Sequence, residues 1–211
     1  MEDIREDPYR IFARIYDSLI EPFVKGPRET SLQVFPPQEN ISILDIGCGT
    51  GTQLAMYRKA GCKLYGVDTS PSLMAIARRK LGEACDLRLE DASHMTFNSQ
   101  IFDLVTIGHV LHVMPAPIRS AVLAECERVV KLDGCVILIE HAFGPYSFPT
   151  GYYWRFARRM AEIFEGRQSY ANYCDFRMRG GLEPLISMTK FSVEKKVMLR
   201  GGTFVVYLLK L

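Results

Sequence analysis

The chain has almost no net charge: 26 basic against 24 acidic residues, for +2 over 211 positions. A field that weak argues against general nucleic-acid binding. It has no C-x-x-C pair. Cys48, Cys62, Cys85, Cys126, Cys135 and Cys174 are scattered, which argues against a zinc knuckle or a disulfide framework and fits a reducing, cytoplasmic setting. The opening MEDIREDPYR has no apolar signal segment. No apolar run approaches the length that spans a bilayer, and there is no internal repeat or low-complexity stretch. What is present is ordinary for a globular protein: 48% hydrophobic residues, enough for one domain with an elaboration or two small ones.

Asp7-Pro8 reads as a helix start, with Ile11, Phe12, Ile15, Tyr16 and Leu19 following at helical spacing. FPPQEN, residues 35–40, breaks the chain. From residue 41 strands and helices alternate. Strand ISILDIG precedes helix TQLAMYRKAG, which Gly61 stops. Strand CKLYGVD precedes helix TSPSLMAIARRKLG, capped by Ser70. Strands CDLRLED and FDLVTIG, helix IRSAVLAECERVVK, a turn at Asp133-Gly134 and strand CVILIEH complete the series. This alternation predicts a doubly wound α/β fold with a mostly parallel sheet. FSVEKKVMLRGGTFVVYLLKL predicts a hairpin around Arg200-Gly201-Gly202, bringing an antiparallel pair to the sheet edge. The expected organisation is a helical cap over 1–40, an α/β core over 41–141, a helical lid over 142–189 and the hairpin over 190–211.

Open parallel sheets bind ligands beyond the carboxyl ends of their strands. Those ends here carry Asp45–Gly47, Asp68, Asp91, Gly108–His109 and Glu140–His141. In ILDIGCGTGTQL, Gly47, Gly49 and Gly51 are spaced G-x-G-x-G, with Cys48 between them as a small packing side chain. A dinucleotide fingerprint would place glycine at position 52, where Thr52 stands. Asp45, just before the first glycine, would repel a pyrophosphate and favour an ammonium or sulfonium. Asp68, ending the second strand, can accept both hydroxyls of a ribose. Asp91, beside Ala92, suits an adenine amino group. The set reads as a nucleoside with a cationic tail and no phosphate.

ILDIGCGTG, YGVDTS, LEDASHM, FDLVTIGHVLH and VVKLDGCVILIE resemble, in order, the successive motifs of class I S-adenosylmethionine-dependent methyltransferases, over residues 41–141 and 190–211. The resemblance implies a Rossmann-like seven-stranded sheet with an antiparallel C-terminal hairpin strand, and S-adenosyl-L-methionine as cofactor. It implies that Asp45 and the loop of Gly47, Cys48, Gly49 and Gly51 hold the methionine part. Asp68, with Thr69 beside it, would take the ribose; Asp91 and Ala92 would meet the adenine; Gly108 and His109 would border the methyl. KLDG at 131–134 departs from the usual Lys-Pro-Gly-Gly turn. The N-terminal helix and the insert, with YANYCDFRMRGGLEPLI, resemble the small-molecule and lipid branch, which includes quinone and phospholipid methyltransferases. The implied activity is in-line methyl transfer to a small or lipid-like acceptor. A non-catalytic cofactor-binding subunit, or methylation of a protein or nucleic acid, is the alternative. No nucleic-acid partner is expected: the Asn/Asp-Pro-Pro-Tyr/Phe motif is absent after strand 4.

His109, His112 and His141 are the candidate catalytic residues, as pocket lining or as a general base near neutral pH. Zinc-binding helices space histidines at i, i+4, whereas His109 and His112 stand three apart at a strand exit, so no metal is expected. His141 with Glu140 is the way such a site would be completed. The 149–164 stretch is aromatic and basic, and is a candidate for roofing an apolar pocket or touching an anionic membrane surface. Tyr16, Tyr170 and Tyr173 are the substrate-pocket candidates.

Overall fold

A computed structural model describes residues 7, 9–10, 13–155 and 167–211. Its centre is a seven-stranded sheet in the order β3-β2-β1-β4-β5-β7-β6. The strands are β1 (Ser42–Ile46), β2 (Lys63–Asp68), β3 (Cys85–Leu89), β4 (Phe102–Gly108), β5 (Val130–His141), β6 (Ser192–Leu199) and β7 (Phe204–Lys210). The helices are α1 (Ala13–Val34), α2 (Thr52–Arg58), α3 (Pro71–Leu81), α4 (Ala116–Val129), α5 (Arg167–Met178) and α6 (Leu182–Ser187); residues 150–155 are also helical.

The sheet core follows from side-chain alternation. Leu44, Ile46, Val105, Ile107, Val136 and Leu138 pack into one buried cluster, with Phe176 of α5. Ile43, Leu104, Ile137 and Ile139 pack into the other, with Leu54, Met74 and Ala77 from α2 and α3. Strands covered on both faces favour apolar residues at nearly every position, hence the runs Leu104–Ile107 in β4, broken only by Thr106, and Cys135–Ile139 in β5. The edge strand β6 is mostly exposed and carries Glu194, Lys195 and Lys196, charges that discourage pairing with another chain.

Local signals set the helix ends. Ser70 accepts a hydrogen bond from the Leu73 N–H at 3.2 Å, and Pro71 occupies the first turn of α3. The C-terminal hairpin stands at the sheet edge as expected, and the Asp133-Gly134 turn departs from the sequence expectation. β7 pairs antiparallel with both β5 and β6, so a single antiparallel strand is inserted and β6 lies parallel to the rest. Asp133-Gly134 is not a turn before β5 but lies within it, at a register shift against β4. A side chain at Gly134 would sit 3.0 Å from the Phe102 carbonyl oxygen, so close backbone approach selects glycine. Asp7 accepts from the Tyr9 N–H of its own turn at 3.0 Å and also caps α3, its carboxylate accepting from the Ser72 N–H and the Ser70 hydroxyl, each at 2.9 Å.

The order places β1 beside both β2 and β4. The chain winds outward in both directions from that pair, so the crevice beyond β1 and β4 is the switch point at which such folds take ligands.

Candidate active site

The glycine loop leaves β1 with Gly47 at φ 67° and enters α2 through Gly51 at φ 73°. Left-handed backbone favours glycine at both positions, and a side chain on Gly51 would meet Leu81 at 2.7 Å. The loop docks on β2, with the Gly47 and Cys48 N–H groups donating to the Val67 carbonyl at 2.9 and 3.0 Å. Cys48 is buried. Burial pushes its thiol well above the ordinary range, so it packs as a neutral group.

Asp45 is buried and accepts from the Thr106 hydroxyl at 2.7 Å. Burial raises its pKa to about 7, against the Thr106 hydrogen bond and the charge of Arg28. It faces a cavity of about 30 Å³ lined by Arg28, Gly47, Gln53, Gly108 and His109. That space suffices for one water-sized group, and an ammonium is such a group.

Asp68 accepts from the Gly49 N–H and the Ser70 N–H, each at 2.8 Å. It therefore ties the glycine loop to the start of α3. Burial raises its pKa, opposed by these backbone donors. A carboxylate offers about four lone-pair sites, so two backbone bonds leave acceptor capacity for hydroxyls. Thr69 follows it in an exposed bend. Asp91 closes a turn beyond β3, accepting from the Ser93 N–H at 2.9 Å and the Ser93 hydroxyl at 2.7 Å. Ala92 is buried beside it.

The histidines gather at the ends of β4 and β5. His109 has φ 57°, uncommon without a glycine, and its N–H donates to the Ile139 carbonyl at 2.8 Å. Burial lowers its pKa to about 3, so it stays neutral. His112 is buried; its Nδ1–H donates to Glu140 Oε1 at 2.7 Å and its backbone N–H to Oε2 at 3.2 Å. The His141 N–H donates to Oε1 at 2.9 Å. Burial alone would raise Glu140, but His112, His141 and His109 hold it below the usual carboxylate range. The rings of His112 and His141 lie 4.4 Å apart by centroid.

Tyr173 of α5 is buried with its ring edge-on to both His112 and His141, and it stacks on Tyr170. Arg119 of α4 explains why α5 sits there. Its buried guanidinium donates to the Leu111 carbonyl at 3.0 Å, the Asn172 carbonyl at 2.6 Å and Asp175 at 2.8 Å. The Tyr16 side chain lies outside the described residues, as do Arg158, Arg159 and the rest of the 149–164 stretch beyond residue 155.

Three contributors had no local sequence signal. Arg28 reaches the Asp45 cavity from α1. Asp17, also on α1, accepts from the Thr50 hydroxyl at 2.5 Å and from Lys80 Nζ at 2.8 Å, latching α1 to the glycine loop. Arg119 is the third. Each acts across a long sequence separation, where no periodicity reports it.

Residues 44–138 match the methyltransferase domain family. Phosphatidylethanolamine N-methyltransferase of Cereibacter sphaeroides is 33% identical over 104 residues, covering 47% of this chain and 50% of that protein. Demethylmenaquinone methyltransferase of Bacillus subtilis is 29% identical over 158 residues, covering 72% and 60%. The chain thus spans about half the length of the curated relatives it matches. A SAM-dependent methyltransferase of known structure from Aquifex aeolicus superimposes with a TM-score of 0.66 at 18% identity, over 98% of this chain and all of that one. Residues 44–138 thus match a methyltransferase domain, and the chain as a whole has the fold and strand order of S-adenosylmethionine-dependent methyltransferases.

Proposed function

We propose that the protein transfers a methyl group from S-adenosylmethionine to a small or lipid-like acceptor. The observation that carries this reading is Asp45: a buried carboxylate with one hydroxyl donor, facing an ammonium-sized space beside the glycine loop. A pyrophosphate would be repelled there; the ammonium of a methionine tail is complementary, and Arg28 in the same cavity suits its carboxylate. Asp68 fits the ribose hydroxyls, Asp91 and Ala92 the adenine edge, and Gly108 and His109 the region of the methyl.

The cofactor supplies a methyl already activated on a sulfonium. The chain's part is to align the acceptor behind that methyl at about 3 Å and to exclude water. His112, His141 and Tyr173 line the side from which an acceptor would approach, and the His112–Glu140 pair is suited to taking a proton from it. We assign residues 142–189 as the lid and 1–40 as the opposite cap.

The relatives named above methylate, by their names, a phospholipid and a quinone precursor, which supports a lipid-like acceptor. Phe148 is 85% exposed, and Tyr152 and Tyr153 are 53% and 66% exposed, next to Arg155. Aromatic rings beside a cation suit a membrane surface. Among the described residues no helix is long and apolar enough to cross a membrane. Methyl-labelled cofactor, incubated with the protein and a panel of quinols, phenols and amine-headgroup lipids presented on anionic vesicles, tests the proposal. Labelled product from one class is expected; cofactor binding with no transfer to any of them would favour the non-catalytic alternative.

A further inference from the structure

The sequence spacing offers no metal site because His109 and His112 stand three apart. The fold groups the residues differently. His109, Glu140 and His141 each present a ligand atom within 4.8 Å of the other two. The β4–β5 ladder fixes this grouping: Gly108 pairs with Ile139, so His109, just past β4, meets Glu140 and His141 at the end of β5. His109 Nε2 is buried with no hydrogen-bond partner. A buried polar atom left unpaired costs about 1–3 kcal/mol, so it asks for a ligand.

We propose that His109, Glu140 and His141 bind a divalent transition-metal ion of the Zn2+ type, leaving coordination positions open for an oxygen of the acceptor. Two imidazoles and a carboxylate are a donor set for zinc or iron(II). Tetrahedral ligands about 2.1 Å from zinc lie roughly 3.4 Å apart, so modest side-chain rotations close the triangle. Glu140 is already oriented by the His112 Nδ1–H and by the His112 and His141 backbone N–H groups, as outer-shell donors orient metal-binding carboxylates.

His109 also lines the Asp45 cavity, which puts the ion at the reactive end of the cofactor site; this part rests on the methyltransferase reading. An ion there selects a hydroxyl acceptor, phenolic or enolic, by lowering the pKa of its O–H. The proton passes to His112 Nε2, the oxygen lone pair forms the O–CH3 bond, and the S–CH3 electron pair stays on sulfur to give S-adenosylhomocysteine.

The test uses chelator-stripped protein titrated with ZnCl2 by calorimetry and with Co2+ by visible absorption, for wild type, His109→Ala and His141→Ala. S-adenosylmethionine is titrated in parallel into the metal-free protein. One Zn2+ per chain, Co2+ ligand-field bands without a thiolate charge-transfer band, and at least ~10-fold weaker binding in each variant are expected. No stoichiometric binding by wild type, a thiolate band, or variants that bind like wild type would overturn the site. The wild-type Co2+ spectrum decides the matter even if a variant misfolds. Zinc binding without cofactor binding would instead count against the methyltransferase reading alone.

Discussion

His112 Nδ1 lies 2.7 Å from Glu140 Oε1, joining the turn after β4 to the end of β5 inside a buried cluster. Glu140→Gln keeps the shape and a weaker acceptor but removes the charge. Turnover should fall about 10–100-fold, the size typical of lost outer-shell or ligand charge at such sites, with cofactor affinity within about twofold of wild type. Steady-state kinetics beside cofactor titration checks this; unchanged turnover would make the pair purely structural.

Asp68 holds the Gly49 and Ser70 amides, so Asp68→Ala removes more than a ribose acceptor. Each charge-assisted hydrogen bond contributes about 1.5–3 kcal/mol. Cofactor binding should weaken at least tenfold, with a lower melting temperature as the loop loses its tie, and Asp68→Asn should fall between. Calorimetry with thermal denaturation reads both; unchanged affinity would leave Asp68 as a cap alone.

Asp45 gives the pH dependence. Its pKa is about 7 in the fold against an ordinary 3.8, so the folded protein binds more protons than the unfolded chain between those values. This group's stabilisation of the ligand-free protein is complete below pH 3.8 and is lost as pH rises through about 7. A cationic ligand needs the ionised form. Cofactor affinity should therefore rise with pH through neutrality, and binding near pH 6 should release a proton. Calorimetry in buffers of different ionisation enthalpy measures that release; buffer-independent heats would contradict it.

Arg119 fixes the insert helix to the His112 turn. Arg119→Met leaves the Leu111 and Asn172 carbonyls without this donor, at about 1–3 kcal/mol each. Faster hydrogen exchange across 167–178, with a lower melting temperature, is expected; unaltered exchange would mean the helix is held by packing.

Much of this architecture was legible in the chain. Alternating apolar runs and helix caps, such as Ser70-Pro71, are local, so β1 to β4, α3 and the rim of strand-end acids follow from short windows. Long-range placement was not legible. Nothing near Arg28, Asp17 or Arg119 marks the partner each meets. The insertion of β7 between β5 and β6 depends on edge pairing that the hairpin's own sequence does not specify. Gly134 reads as a turn residue but is glycine because two strands approach closely there. The histidine pair suggested one grouping by spacing, and the β4–β5 register produced another.

The central claim is that the glycine loop with Asp45 receives a cationic nucleoside and not a dinucleotide. Calorimetric titration of the purified protein with S-adenosylmethionine, S-adenosylhomocysteine and NAD tests it most directly. Saturable binding of both adenosyl compounds with no heat from NAD is the predicted result; NAD binding with no response to either adenosyl compound would contradict it.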